Sequence, residues 1–319
     1  MNRRSFLAAT SAAAFAQSPA LPVPDFPVID THIHLFDVSR QGGIPWPPST
    51  NKVLYKTALP DRYRKLALPF GIKGAIEVEC SPQVEDNQWV LDVAAKDTII
   101  VGTVGNLEPG KPGFGRQLER FTRNPLFRGI RYGTLWGRKF HEEMNRPEFF
   151  ADVKLLAAAN MTLDAAIASP RLIADLVRLT DRVANLRVVI NHLPQLDPPT
   201  GAGPLREYEA NLKELGGRGL VYAKLSAVLR RVDGKVPLDL AFYRPRLDHL
   251  MEVFGEDRVL YGSDWPNSDQ WAAYPQVFGI VRDYFMARGR SAAEKYFWKN
   301  SAKAYQWVKR APDQPRYVG

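Results

Sequence analysis

Downstream of residue 27, short β-branched runs alternate eight times with longer stretches of helical period, and this alternation constrains the fold more than any other feature. The predicted strands are 28–33, 74–79, 98–104, 127–132, 162–167, 187–191, 220–225 and 258–261. The predicted helices are 86–96, 114–123, 148–160, 170–183, 205–215, 240–254, 274–287 and 292–308. Strand and helix in alternation mean crossover connections, and crossovers mean a parallel sheet. Eight such units are what a (β/α)8 TIM barrel requires, and one barrel of the α/β class spanning 28–319 is the expectation. A doubly wound open sheet is the runner-up. It calls for a glycine-rich turn after the first strand, where Asp30-Thr31-His32-Ile33-His34 stands instead.

Composition excludes several function classes. The 319 residues carry 43 Lys and Arg against 34 Asp and Glu, with 45% hydrophobic residues, so neither a disordered chain nor a disulfide-stapled one is expected. The net charge of +9 is spread among acids without a basic run, which points away from nucleic acid and towards a small polar or anionic partner. At the N-terminus Arg3-Arg4-Ser5-Phe6-Leu7 precedes the apolar stretch Ala8 to Phe15, and Ala14-Phe15-Ala16 has an A-x-A cleavage pattern. Residues 1–16 therefore read as a twin-arginine export signal, and a periplasmic or extracellular location follows. Residues 17–27 are proline-rich and read as a tether. No later stretch approaches the roughly 18 apolar residues of a membrane span. The single cysteine, Cys80, ends an apolar run and reads as a packed thiol.

Active sites of parallel barrels sit at the C-terminal ends of the strands, and strand alternation sorts those ends into two faces. With the apolar faces turned to the helices, a ring of polar groups points into the mouth: His32, His34, Glu79, Arg131, His192, Lys224 and Asp264. Three of the chain's five histidines fall at such ends. Glu77 reads as a deeper structural partner for Arg131 or Lys224. Arg128 reads equally as a substrate contact or a surface charge, because alternation sets it opposite Arg131. Trp265 and Asn267, just beyond Asp264, read as pocket walls. The segment Phe36 to Pro60, with Ile44-Pro45-Trp46-Pro47-Pro48, is long enough for a lid or a rigid surface loop.

The ordered set Val-Ile-Asp-Thr-His-Ile-His, Phe-Arg-Gly-Ile-Arg, Val-Ile-Asn-His-Leu-Pro, Ala-Lys-Leu-Ser and Arg-Val-Leu-Tyr-Gly-Ser-Asp-Trp-Pro resembles the amidohydrolase superfamily. The likeness extends over 28–308 and is strongest to its lactonase and 2-pyrone-4,6-dicarboxylate lactonase branch. It implies a hydrolytic barrel in which Asp264 handles the proton of the attacking water. In metal-using members the H-x-H pair and that aspartate hold a divalent ion. Here the two-metal pattern is broken: strand four ends in Arg131 with no lysine for a bridging carbamate, and strand five carries Asp164 and no histidine. His32, His34, His192 and Asp264 remain, enough for one zinc-like ion with an open position, and the branch also hydrolyses lactones with none.

Lactone hydrolysis needs a base for water, donors for the developing oxyanion and an anchor for the ring. Asp264 can serve as base, the histidines or Lys224 as donors, and Arg131, with Arg128, Glu79, Trp265 and Asn267, as substrate contacts. Two other readings stay open: a metal-dependent non-oxidative decarboxylase of the same superfamily, and an exported solute-binding barrel without chemistry. Oligomeric state is not legible.

Overall fold

The computed structural model describes residues 23–166 and 168–316. The expected export signal and the start of the tether lie outside these residues, as does Ile167, the expected end of the fifth strand. What is described of the tether is docked: Phe26 is buried and its ring lies 6.0 Å from that of Phe297.

Eight parallel strands run in chain order: β1 (Val28–Ile33), β2 (Ile72–Val78), β3 (Ile100–Gly105), β4 (Phe127–Gly133), β5 (Thr162–Ala166), β6 (Arg187–Ile190), β7 (Val221–Lys224) and β8 (Val259–Leu260). Helices α1 (Pro60–Ala67), α2 (Asp86–Ala95), α3 (Phe114–Thr122), α4 (Phe140–Glu143), α5 (Pro147–Ala158), α6 (Pro170–Arg182), α7 (Ala202–Gly217), α8 (Leu240–Phe254) and α9 (Tyr274–Ala287) lie in the connections, with α10 (Arg290–Glu294) and α11 (Asn300–Tyr305) last. This is the (β/α)8 barrel. Local chemistry sets the helix starts. Pro170 opens α6 with a preset φ while Ser169 Oγ accepts the Leu172 N–H at 3.1 Å. Leu172, Ile173, Leu176 and Leu179 then bury one face of that helix.

Three helical readings change, one of them the four-residue α4, which the sequence did not lead us to expect. The helix expected at 292–308 is divided: a π turn over Lys295–Lys299 separates α10 from α11, and a left-handed Gln306 ends it. Helix α1 was not expected. Its eight residues bury only Pro60, Tyr63 and Ala67, too sparse a pattern to stand out from the preceding loop.

The seam between β8 and β1 is closed by single backbone bonds rather than a ladder. Thr31 N–H donates to Tyr261 O at 3.1 Å, Asp264 N–H to His32 O at 2.9 Å, and His34 N–H to Trp265 O at 2.8 Å. Asp30 reinforces the seam from inside: its buried carboxylate accepts from Ser263 N–H at 2.8 Å, His32 N–H at 3.1 Å and Tyr63 Oη–H at 2.8 Å. Among the described residues, no helix is long and apolar enough to cross a membrane.

Candidate active site

The C-terminal mouth opens into a cavity of about 360 Å³, lined by His34, Trp46, Arg131, Trp136, His192, Gln195, Asp264 and Asn267, with smaller apolar groups between them. Asp264 is its floor. Oδ1 faces His34 Nε2 at 3.3 Å, His192 Nε2 at 3.5 Å and His32 Nε2 at 3.7 Å, while Oδ2 accepts a hydrogen bond from Asn267 Nδ2 at 2.7 Å. Two of these groups reach the cavity through left-handed backbone, His192 at φ 52° and Asp264 at φ 60°. Such a conformation is uncommon for a residue with a side chain and persists where surrounding structure enforces it.

The outer ring nitrogens fix the imidazoles. His34 Nδ1 lies 2.7 Å from Val78 O, and a carbonyl only accepts, so Nδ1 carries a proton. His192 Nδ1 meets Ser226 Oγ at 3.0 Å. Burial pushes His192 down to about 4, with Asp264 pulling the other way, and burial drives His32 well below the usual imidazole value. Burial also pushes the Asp264 carboxyl up, but the neighbouring His192 and His34 and the bond from Asn267 outweigh it and hold Asp264 below its ordinary value. The floor is thus a carboxylate held below its ordinary value beside His32 and His192, the two imidazoles whose charging burial disfavours.

Arg131 Nε donates to Glu79 Oε1 at 3.0 Å, and Trp136 Nε1 donates to the same carboxylate at 3.1 Å. Glu79 therefore backs the wall and holds the only cation lining this cavity among the described residues. The segment 36–58 folds against the mouth, closed at its base by a Phe36–Ala58 bridge, and its Trp46 ring stands edge-on to His34 at 5.5 Å.

Several expected members sit elsewhere. Arg128, at the start of β4, donates to Tyr305 O at 2.8 Å and lies at the far end of the strand from the mouth; it stands three positions before Arg131, about 10 Å of strand. Trp265 is no wall: it is fully buried against Tyr63, with ring centroids 5.2 Å apart. Lys224 is fully buried behind His32, where its Nζ donates to Asp164 Oδ2 at 2.9 Å and Thr31 O at 2.8 Å, so it is out of a substrate's reach. Glu77 gains no hydrogen-bonding partner at Oε1, and burial beside Glu79 raises its carboxyl well above the usual range. Among the described residues no ion pair joins it to Arg131 or Lys224, the structural partners expected for it. Cys80 is packed as expected, and burial pushes its thiol well up. The remaining histidines face carboxylates on the helices, His141 with Asp175 and His249 with Glu209.

Trp136 and Gln195 were missed. Both follow strand ends, Trp136 within Gly133-Thr134-Leu135-Trp136-Gly137 and Gln195 within His192-Leu193-Pro194-Gln195. An aromatic between two glycines in a βα loop is the signal that was available.

Ligand atoms of His32, His192 and Asp264 lie within 4.8 Å of one another; His34 joins them only through Asp264. His32 Nε2 and Asp264 Oδ1 are buried without a hydrogen-bond partner. Two imidazoles and a carboxylate are donor types that suit a zinc-like ion, provided that His32 presents a lone pair at Nε2.

A family model described as amidohydrolase matches residues 29–307. A protein of Burkholderia ambifaria named L-fucono-1,5-lactonase is 28% identical over 240 residues, covering 75% of this chain and 80% of that one. Another of that name from Burkholderia multivorans is 24% identical over 282 residues, covering 86% and 94%. The crystal structure of an amidohydrolase from Burkholderia multivorans with bound zinc superposes with a TM-score of 0.77 at 22% identity, covering 88% of this chain and 99% of that one.

Proposed function

This chain belongs to the amidohydrolase family, and from that premise we propose that it opens a sugar lactone by hydrolysis. The observation that carries the reading is Asp264 Oδ1: a buried, ionised carboxylate oxygen with no hydrogen-bond donor, at the floor of an open cavity. An oxygen in that state is a base awaiting a proton, and water entering the cavity supplies one. Asn267 holds Oδ2, which aims Oδ1 inward. His34 and His192 border the same oxygen, where they would flank a carbonyl carbon attacked by that water. The ring oxygen leaves as an alkoxide and takes up the proton that Asp264 received.

A sugar lactone suits the walls better than a carboxylated one. Arg131 is paired to Glu79, so a substrate carboxylate finds no unneutralised cation there. Trp46 and Trp136 instead offer flat apolar faces, and Gln195 and Asn267 offer hydroxyl partners. The L-fucono-1,5-lactonase relatives support the same class. Only where His32 presents a lone pair at Nε2 could a divalent ion sit at His32, His192 and Asp264, and it would then polarise the lactone carbonyl or bound water. The twin-arginine motif supports export of the enzyme, and cell fractionation with Arg3 and Arg4 replaced by lysine tests it.

The test of activity is a pH-indicator assay against aldonolactones and carboxylated lactones, with Asp264→Asn and chelator in parallel. Turnover of an aldonolactone that vanishes in Asp264→Asn is expected. Turnover that survives that substitution, or none on any lactone, overturns the reading.

A further inference from the structure

Behind His32 lies a buried cation that the chemistry above leaves unused. Lys224 Nζ has three neighbours: Thr31 O at 2.8 Å, Asp164 Oδ2 at 2.9 Å and His32 Nδ1 at 3.3 Å. An ammonium has three protons and no lone pair, so these three acceptors saturate it. Asp164 is itself held, accepting from Tyr305 Oη at 2.7 Å and Thr162 Oγ1 at 3.1 Å. Lys224 and Asp164 both have fully buried side chains; burial pulls the ammonium below its ordinary value and the Asp164 carboxylate at 2.9 Å pulls it back, and the ammonium is the form that gives a proton to each of the three acceptors.

We propose that Lys224 is a positioning residue that sets the tautomer of His32, leaving the proton on Nε2, where it faces Asp264. A ring nitrogen that accepts from an ammonium has no proton of its own, and a neutral imidazole must then carry its proton on the other nitrogen. The two partnerless atoms of the site point the same way. His32 Nε2 and Asp264 Oδ1 face each other at 3.7 Å, and a lone pair set against a carboxylate in a dry interior would repel it. A proton on Nε2 turns that contact into attraction and orients the carboxylate. The H-x-H pair is therefore split: His34 keeps its proton on Nδ1 and His32 keeps its own on Nε2. A protonated Nε2 is no metal ligand, so the His32–His192–Asp264 cluster does not fit an ion as a complete set.

Long-range ¹H–¹⁵N correlation spectra of the ¹⁵N-labelled, chelator-treated protein read the ring states directly, without reference to any substrate. The ring signals lost in His32→Gln are expected to show Nε2 protonated and Nδ1 bare. In the paired variant Lys224→Met with Asp164→Asn, which removes both buried charges together, the Nε2–H fraction of that ring is expected to fall. A proton on His32 Nδ1 in the wild type, or an unchanged ring in the paired variant, overturns the proposal. Zinc binding by calorimetry gives a second reading. His32→Gln is expected to leave the affinity within about threefold, and a loss in the range typical of a removed ligand environment, about tenfold or more, overturns it. Where the lactonase reading holds, on which this last arm rests, the paired variant lowers kcat with KM unchanged. Absence of any lactonase activity would leave the spectroscopic result standing.

Discussion

Asp264 and His32 are joined twice: the Asp264 N–H donates to His32 O at 2.9 Å, and Asp264 Oδ1 faces His32 Nε2 at 3.7 Å. The first contact is part of the seam that closes the barrel, and the second is part of the site. One consequence is that damage to the seam reaches the base without touching substrate.

Gly262 tests this coupling. A Cβ built there would lie 2.8 Å from His32 Cβ and 3.3 Å from Ser226 Cβ, too close for either to stay in place. Gly262→Ala is expected to cost about 1–3 kcal/mol of stability, as overpacking does. It should also lower kcat/KM by about tenfold or more, because His32 and the Ser226 that partners His192 both move. Denaturant melts and initial rates on the same preparation separate the two effects.

Asp264→Asn keeps the shape of the side chain and removes the proposed base. We expect kcat to fall by about a thousandfold, within the span of general-base contributions, with an unchanged far-ultraviolet spectrum. A fall below about tenfold would mean that another group takes the proton.

The pH dependence of stability follows from His192. Its folded value is about 4 against an ordinary 6.5, so between those limits the unfolded chain binds a proton that the native state refuses. Stability is therefore full above pH 6.5 and falls as pH drops towards 4. The side chain is 18% exposed, so about 3 kcal/mol is the ceiling on this contribution. His192→Gln should flatten the difference in Tm between pH 6.5 and pH 4 by scanning calorimetry, and an undiminished slope would assign it to other groups.

Asn267 and Arg128 make a contrasting pair. Asn267→Ala removes the donor at 2.7 Å from Asp264 Oδ2 and is expected to lower kcat by about tenfold, the worth of one hydrogen bond to a charged group. Arg128→Ala removes donors to Tyr305 O and Pro125 O and is expected to cost about 1–2 kcal/mol of stability while kcat/KM stays within about twofold. Steady-state kinetics beside urea titrations of both variants would show whether the N-terminal end of β4 and the mouth are independent.

By itself the sequence determined the order of the strands and which residues stand at their C-terminal ends. Period-two runs and period-3.6 runs are local properties, and eight of each in alternation leave little choice of topology. The His32, His34, His192 and Asp264 positions were legible because strand ends are marked by the same local pattern. What lay beyond it depends on contacts between residues distant in the chain. Alternation could not place Arg128, because it gives the face of a strand and not the depth along the barrel, and Tyr305, 177 residues on, decided that. Nor could it show that the chain turns left-handed at His192 and Asp264, where the strand pattern has already ended. Lys224 makes the point most sharply. Sequence reading set it in the mouth as an oxyanion donor, whereas Asp164, 60 residues away, and Thr31 draw its charge behind His32. A buried cation settles where its hydrogen-bond acceptors are, and only the closed barrel brings those acceptors together.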